Sequence, residues 1–140
     1  MAIVDDVKAR VQRILQSKDL LIELKGDDFW VPYGSTRCRI MVRPYGDGHA
    51  IVDVSALVVA DVPVTTRLKE YLADKSSDFM FGNLELYKDG TKGMIIFRHA
   101  LLGDYLDEDE LMFTVAAVAG TADDLDDEVR STFGGKRAVD

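Results

Sequence analysis

Apolar residues recur every three or four positions in three segments of the chain, which is the spacing of one face of an α-helix. The first segment covers residues 3–17, where the repeating apolar residues are Val4, Val7, Val11 and Ile14. The second runs to about residue 75 from Thr65 or Thr66, either of which has the side chain of a helix N-cap. The third covers residues 108–132. The pattern therefore predicts three amphipathic helices.

Apolar and polar residues alternate in the intervening segments, which predicts β-strands. The alternation is clearest in residues 36–43, where Cys38, Ile40 and Val42 share one face. Further strands are predicted at residues 20–25, 51–62, 81–87 and 94–101. The adjacent Val58 and Val59 indicate burial on both faces or a bulge. Residues 29–34 are apolar but contain a proline and a glycine, so we expect no regular ladder there.

The order of these elements predicts the fold class. A helix, three strands, a helix, a hairpin and a long helix give the order α-β-β-β-α-β-β-α. We therefore expect an α+β protein with one antiparallel sheet flanked by helices. The 140 residues suit a single domain, residues 1–140.

Composition narrows the class of partner. Twenty-five acidic and 17 basic residues give a net charge of −8, which argues against nucleic acid or an anionic membrane as a partner. No apolar run is long enough for a membrane span, and residues 1–15 mix acids and bases unlike a signal peptide. We expect a cytoplasmic protein.

Few residues could carry catalysis. The chain has one cysteine, Cys38, which is predicted to lie in the core, and two histidines, His49 and His99. No spacing rule links His99 to an acid such as Asp104, and no nucleotide-binding or metal-binding motif is present. Residues 123–128 are acidic but lack the glycine and ligand spacing of a calcium loop, so a solvated helix face is expected. We predict no enzyme, no cofactor and no metal.

A stripe of arginines contrasts with the acidic composition. Arg37, Arg39 and Arg43 share the polar face of one predicted strand, and Trp30 and Tyr33 precede them. Arginines with interleaved aromatic residues can bind single-stranded nucleic acid. An acidic peptide or the protein's own acidic helices are the partners that this sequence favours.

The second half of the chain carries a resemblance to a known family. Its segments are Phe81-Gly82-Asn83-Leu84-Glu85-Leu86, Ile95-Ile96-Phe97, Leu102-Gly103-Asp104, the acidic start of the last helix from Asp107 to Leu111, and Phe133-Gly134-Gly135. These resemble the YbjN-like proteins of bacteria, in the wider group similar to type III secretion chaperones. The resemblance implies the same order of helices and strands and a non-catalytic, peptide-binding or regulatory module that is often dimeric.

Together these observations predict a chaperone-like module that binds a protein or peptide client. The residues expected to contact the client are Val7, Val11, Phe29, Trp30, Tyr33, Arg37, Arg39 and Arg43. A homodimer is expected, with two candidate surfaces: the long apolar stripe of helix 108–132, and Leu68, Tyr71 and Leu72 of the second helix, which the resemblance favours. The alternative is a small-ligand-binding or enzymatic domain whose pocket wall is formed by the aromatic residues of segment 29–33.

Overall fold

The computed structural model describes residues 2–138 and contains three helices and six strands. The elements are α1 (Ala2–Ser17), β1 (Glu23–Lys25), β2 (Asp28–Tyr33), β3 (Thr36–Tyr45), β4 (His49–Pro63), α2 (Thr66–Ser76), β5 (Asn83–Asp89), β6 (Lys92–Leu102) and α3 (Glu108–Phe133). All strand pairs are antiparallel, in the spatial order β1-β2-β3-β4-β6-β5. The α+β class is confirmed, and one strand more than predicted precedes α2.

The additional strand is β2, and the expectation that residues 29–34 form no regular ladder is wrong. Five residues of β2 are in continuous register with β3, including the pair Pro32 and Arg37. Pro32 is tolerated because β1 pairs with β2 only as far as Trp30, so the proline lies on a free edge that needs no N–H donor. Gly34, with φ of +53°, supplies the left-handed residue of the turn into β3.

All three helices lie on one side of the sheet. Along β3, β4 and β6 the apolar residues that face the helices are in register, as Ile40 is opposite Val54 and Ala56 opposite Phe97. These residues are at most 2% exposed. The helices cover them with the apolar residues that recur every three or four positions, as the sequence predicted. The core therefore lies between one helical layer and one sheet.

Side-chain caps define where two of the helices begin. Thr65 accepts a hydrogen bond from the Leu68 backbone N–H at 3.1 Å, and Asp107 accepts one from Glu110 N–H at 2.8 Å. Each satisfies a backbone donor that has no partner inside its helix. The ends of α2 and α3 predicted from the sequence, residues 75 and 132, lie one residue before the observed ends, Ser76 and Phe133.

A bulge interrupts the pairing of β4 with β6. The register shifts between Leu57 and Val59, and Val58 and Val59 are both buried. Of the two predicted alternatives, the bulge is the one observed, because Val58 is the additional residue and Val59 lies opposite the buried Ile95 on the helical side. Ala56 is the last residue of β4 in register with β3, so beyond it one edge of β4 is free of β3.

Candidate functional site

The face of the sheet opposite the helices, here called the open face, is uncovered by α1, α2 or α3. Strand alternation and register place on it Trp30, Arg37, Arg39, Arg43, Asp53, Leu57, Met94, Ile96 and Arg98. Most of these side chains are half-buried by one another and not by a second layer. The open face is therefore the largest part of the described sheet that is available to a partner.

Trp30 is held between two arginines of β3. The guanidinium carbons of Arg37 and Arg39 lie 5.1 and 5.4 Å from the centre of its ring. Arg37 Nη2 donates to Glu23 at 2.6 Å and Arg39 Nε donates to Asp28 at 2.8 Å, so both cations are fixed. A cation over an indole ring is attracted to its negative face. The ring is consequently fixed in place on the surface of the sheet.

An apolar cleft of about 310 Å³ lies beside this ring. Its lining includes Leu57, Met94 and Ile96 of the open face, together with Ala138 after α3. A second cleft of about 320 Å³ also borders Met94, near the turn between β5 and β6, and its lining includes the charged residues Asp61, Lys88, Asp89 and Lys92. The cleft beside Trp30 is therefore the more apolar of the two.

A charged network occupies another part of the open face. Asp53, 4% exposed, lies 2.8 Å from Arg43 Nη2 and 2.9 Å from Arg98 Nε, although the second contact lacks the alignment of a hydrogen bond. Arg98 also contacts Glu85. Burial alone would raise the pKa of Glu85, but hydrogen bonds from Tyr87, Asn83 and Arg98 lower it below the usual range. These carboxylates neutralise the arginines around them.

The predicted pairing of the arginine stripe with the helices is wrong. The partners of Arg37, Arg39 and Arg43 are Glu23 of β1, Asp28 of β2 and Asp53 of β4. Antiparallel register explains this, because cross-strand neighbours lie closer than any helix on the other side of the sheet. The stripe is thus neutralised within the sheet.

Several residues expected to contact a client lie inside the protein. Val7 and Val11 are fully buried beneath α1, and Phe29 is 4% exposed on the helical side of β2. Tyr33 is exposed beside α3, where its hydroxyl would lie 3.5 Å from a methyl group added at Gly120. The aromatic residues of segment 29–33 therefore do not form one pocket wall, which removes the basis of the alternative interpretation. Trp30 alone reaches the open face.

The residues expected to form a dimer are engaged within the protomer. Leu68 and Leu72 are 0% and 8% exposed. Tyr71 donates a hydrogen bond to Glu128 at 2.8 Å and its ring lies 5.0 Å from that of Phe133. These contacts attach α2 to α3, and they leave little apolar surface on α2 for a second copy.

The acidic part of α3 is only partly the solvated face that the sequence predicted, since Asp124, Asp127 and Glu128 are exposed but Asp126 is buried. Asp126 is 2% exposed and contacts Arg130, Arg137 and the Ser35 hydroxyl. Asp123 accepts hydrogen bonds from the Ser35 hydroxyl and backbone N–H, which lower its pKa. These carboxylates connect α3 to the turn before β3 and to the segment after α3.

Cys38 and His99 lie on the helical side of the sheet, opposite Ala56 and Val54 of β4. Cys38 is fully buried, and burial raises the pKa of its thiol to about 12. His99 stacks on Phe81 with ring centres 3.7 Å apart, and burial lowers its pKa. Asp104 pairs with His49 at 2.5 Å and not with His99, although 55 positions separate the pair. Among residues 2–138, no cluster of three or more metal-ligating side chains occurs.

Three of the residues expected to contact a client, Trp30, Arg37 and Arg39, line this cleft. Sequence reasoning missed Leu57, Met94 and Ile96, for which the available signal was their position in the continuous apolar runs 56–60 and 94–97. Ala138 gave none, because its position depends on how the chain turns after α3.

The fold and the open face define an α+β protein with one helical layer on an antiparallel sheet whose other face is free. The chain belongs to the family described as T3SS (YopN, CesT) and YbjN peptide-binding chaperone 1, whose model matches residues 2–140. The solved structure of YbjN from E. coli is similar in fold, with a TM-score of 0.62, 10% identity, and coverage of 89% of this chain and 91% of that chain. No curated protein matches the sequence. Within residues 2–138, no helix is long and apolar enough to cross a membrane.

Proposed function

We propose that this protein is a non-catalytic, chaperone-like module that binds an extended peptide segment of a client protein on its open face. The observation that carries the proposal is the apolar cleft beside Trp30 on a sheet face that no helix of the described chain covers. Membership of a peptide-binding chaperone family supports it. The identity of the client is outside this proposal.

Binding is proposed to depend on a few rigid apolar contacts. Trp30 is already held by Arg37 and Arg39, so little conformational entropy is lost when a ligand packs on its ring. Buried tryptophan contacts commonly dominate the energy of an interface. An apolar client side chain would fill the cleft between Trp30 and Leu57. The neutralised arginines would orient polar groups of the client and add little net attraction.

The non-catalytic part of the proposal rests on the state of the reactive groups. The Cys38 thiol is inaccessible, and a thiol with a pKa of about 12 is not a nucleophile at neutral pH. The imidazole of His99 is covered by the ring of Phe81. Stoichiometric zinc or calcium retained by untagged protein after extensive dialysis would contradict this part.

The test is selection of peptides from a displayed library, followed by calorimetric titration of the selected peptide. Leu57→Glu and Trp30→Ala should each weaken binding about thirtyfold, because a central apolar contact is worth about 2 kcal/mol. Tyr105→Glu is the matched control, since Tyr105 is 82% exposed between β6 and α3 and belongs to neither proposed surface. Circular dichroism checks that every variant is folded. Equal affinity for wild type and both open-face variants would refute the proposal.

A homodimer is part of the proposal, through a surface near the start of α3 and not through α2. Phe113 is 64% exposed and contacts Phe81, and the neighbouring Met80 is fully exposed. Exposed apolar clusters of this kind are commonly covered by a second copy. Light scattering at micromolar concentration should give twice the 15.6 kDa of the chain, and Phe113→Ser should return it to the monomer mass. A monomer mass for wild type would contradict the dimer.

A further inference from the structure

The segment that follows α3 pairs with the sheet. Residues 135–138, here called the tail, run beside the free edge of β4. Lys136 N–H donates to the Ala60 carbonyl at 2.7 Å, and Ala60 N–H donates to the Lys136 carbonyl at 2.8 Å. This is an antiparallel bridge at a position beyond the last residue of β4 in register with β3. The tail therefore occupies the place of a further strand.

The backbone of the tail is fitted to this position. Gly135 has φ of +101°, a conformation that side chains disfavour. A methyl group added at Gly135 would lie 2.9 Å from the Ala60 carbonyl oxygen and 3.3 Å from Val59 Cβ. Only glycine allows so close an approach. Docking of the tail is accordingly specified by the sequence.

The side chains of the tail contact acidic groups and the cleft. Arg137 lies 3.2 Å from Asp126 and 2.7 Å from Asp127, and Lys136 lies 3.6 Å from Asp61. Ala138 lines the cleft beside Trp30. The tail thus presents two basic residues and then a small apolar residue, and each of the three has a complementary surface.

We propose that the tail occupies the binding site of the client segment within the free protein, and that the client segment displaces the tail on binding. The inference rests on the proposed function and specifies its partner: an extended segment with two basic residues followed by a small apolar residue. A strand edge pairs with any extended backbone, so the side chains confer the selectivity. The net charge of −8 favours a basic segment at long range.

Displacement is feasible because the docked tail is weakly held. It has one pair of backbone hydrogen bonds, and its ion pairs with Asp61 and Asp127 involve largely exposed carboxylates. Only the pair of Arg137 with Asp126 reaches a buried carboxylate, and the Arg137 side chain is itself 39% exposed. Exposed ion pairs contribute little to stability, and segments with few contacts open locally. A competing segment needs to overcome only this local docking and not the global fold.

The test uses the full-length chain and a synthetic peptide, Gly-Gly-Lys-Arg-Ala-Val-Asp, which has the sequence of residues 134–140. Fluorescence of Trp30, the only tryptophan, reports binding. Gly135→Ala should release the tail and bind the peptide at least about tenfold more tightly than wild type, since apparent affinity falls with the fraction of free sites. Gly90→Ala is the control, because it changes a positive-φ glycine with open space around it. A peptide with both basic residues replaced by Glu should not bind.

Equal peptide affinity for wild type and Gly135→Ala would overturn the inference. If Gly135→Ala is not folded by circular dichroism, Arg137→Glu releases the tail by charge repulsion and replaces it in the comparison. The library-selected peptide separates the two proposals. If Leu57→Glu abolishes its binding while tail release leaves its affinity unchanged, the proposed function stands and the tail inference fails. If neither Leu57→Glu nor Trp30→Ala weakens its binding, the proposed function itself fails.

Discussion

Replacement of Asp126 by Asn removes a buried charge that connects three separate parts of the chain. The carboxylate is 3% exposed and accepts hydrogen bonds from Arg130 Nε at 2.5 Å and from the Ser35 hydroxyl at 2.6 Å. Arg137 Nε lies 3.2 Å away. Asn keeps the shape of the side chain but presents an amide N–H₂ to a guanidinium, so that one of these contacts becomes repulsive.

The expected magnitude follows from these contacts. A hydrogen bond to a charged group contributes about 1.5–3 kcal/mol, so the loss of two could reach about 5 kcal/mol. The side chains of Arg130 and Arg137 are 28% and 39% exposed and can turn toward water, which reduces the loss. We expect Asp126→Asn to lower the free energy of unfolding by about 2–3 kcal/mol. For a chain of this size that corresponds to a decrease in Tm of about 6–10 °C.

The assay is thermal and urea unfolding followed by circular dichroism, with Asp127→Asn as matched control. Asp127 contacts the same two arginines but is 75% exposed, so its replacement should leave Tm almost unchanged. In the Arg137→Gln background, Asp126→Asn should lower the free energy of unfolding by less than it does in wild type. A double-mutant cycle measures this difference. Equal Tm shifts for Asp126→Asn and Asp127→Asn would show that burial does not determine the strength of these pairs.

Three other predictions concern pH, backbone conformation and thiol reactivity. Hydrogen bonds from Ser35 lower the folded pKa of Asp123, so its stabilising contribution is present above the unfolded pKa of about 4 and is lost as pH falls through the folded value. Ser35→Ala should raise that pKa in an NMR titration and destabilise the fold at pH 7 more than at pH 2, and an equal loss at both would contradict this. Gly82→Ala should lower the free energy of unfolding by urea by about 2–4 kcal/mol, because φ is +86° and the new methyl group would lie 2.6 Å from a buried aromatic ring. Gly90→Ala, at a glycine with open space around it, should lower it by about 1 kcal/mol. Cys38 should react with a thiol reagent only after unfolding, and rapid labelling of the native protein would refute its burial.

The sequence by itself determined the features that depend on neighbouring residues. The three helices follow from apolar spacing within each segment, and the N-caps Thr65 and Asp107 act on donors three residues away. The alternation along β3 and the bulge beside Val58 are equally local. The α+β class follows from these elements and their order, because one apolar face on each must be buried against another.

Only the tertiary structure decided what each surface contacts. The partner of His49 lies 55 positions away and that of Ser35 lies 88 away, and no local pattern encodes such distances. Placing all three helices on one side of the sheet buried Val11 and left Trp30 half-buried on the open face, although both belong to apolar segments. Register between antiparallel strands then gave the arginines their acidic partners, and the turn after α3 brought the tail to the edge of β4. Side-chain type fixes which contacts are favourable, but the path of the chain determines which of them can form.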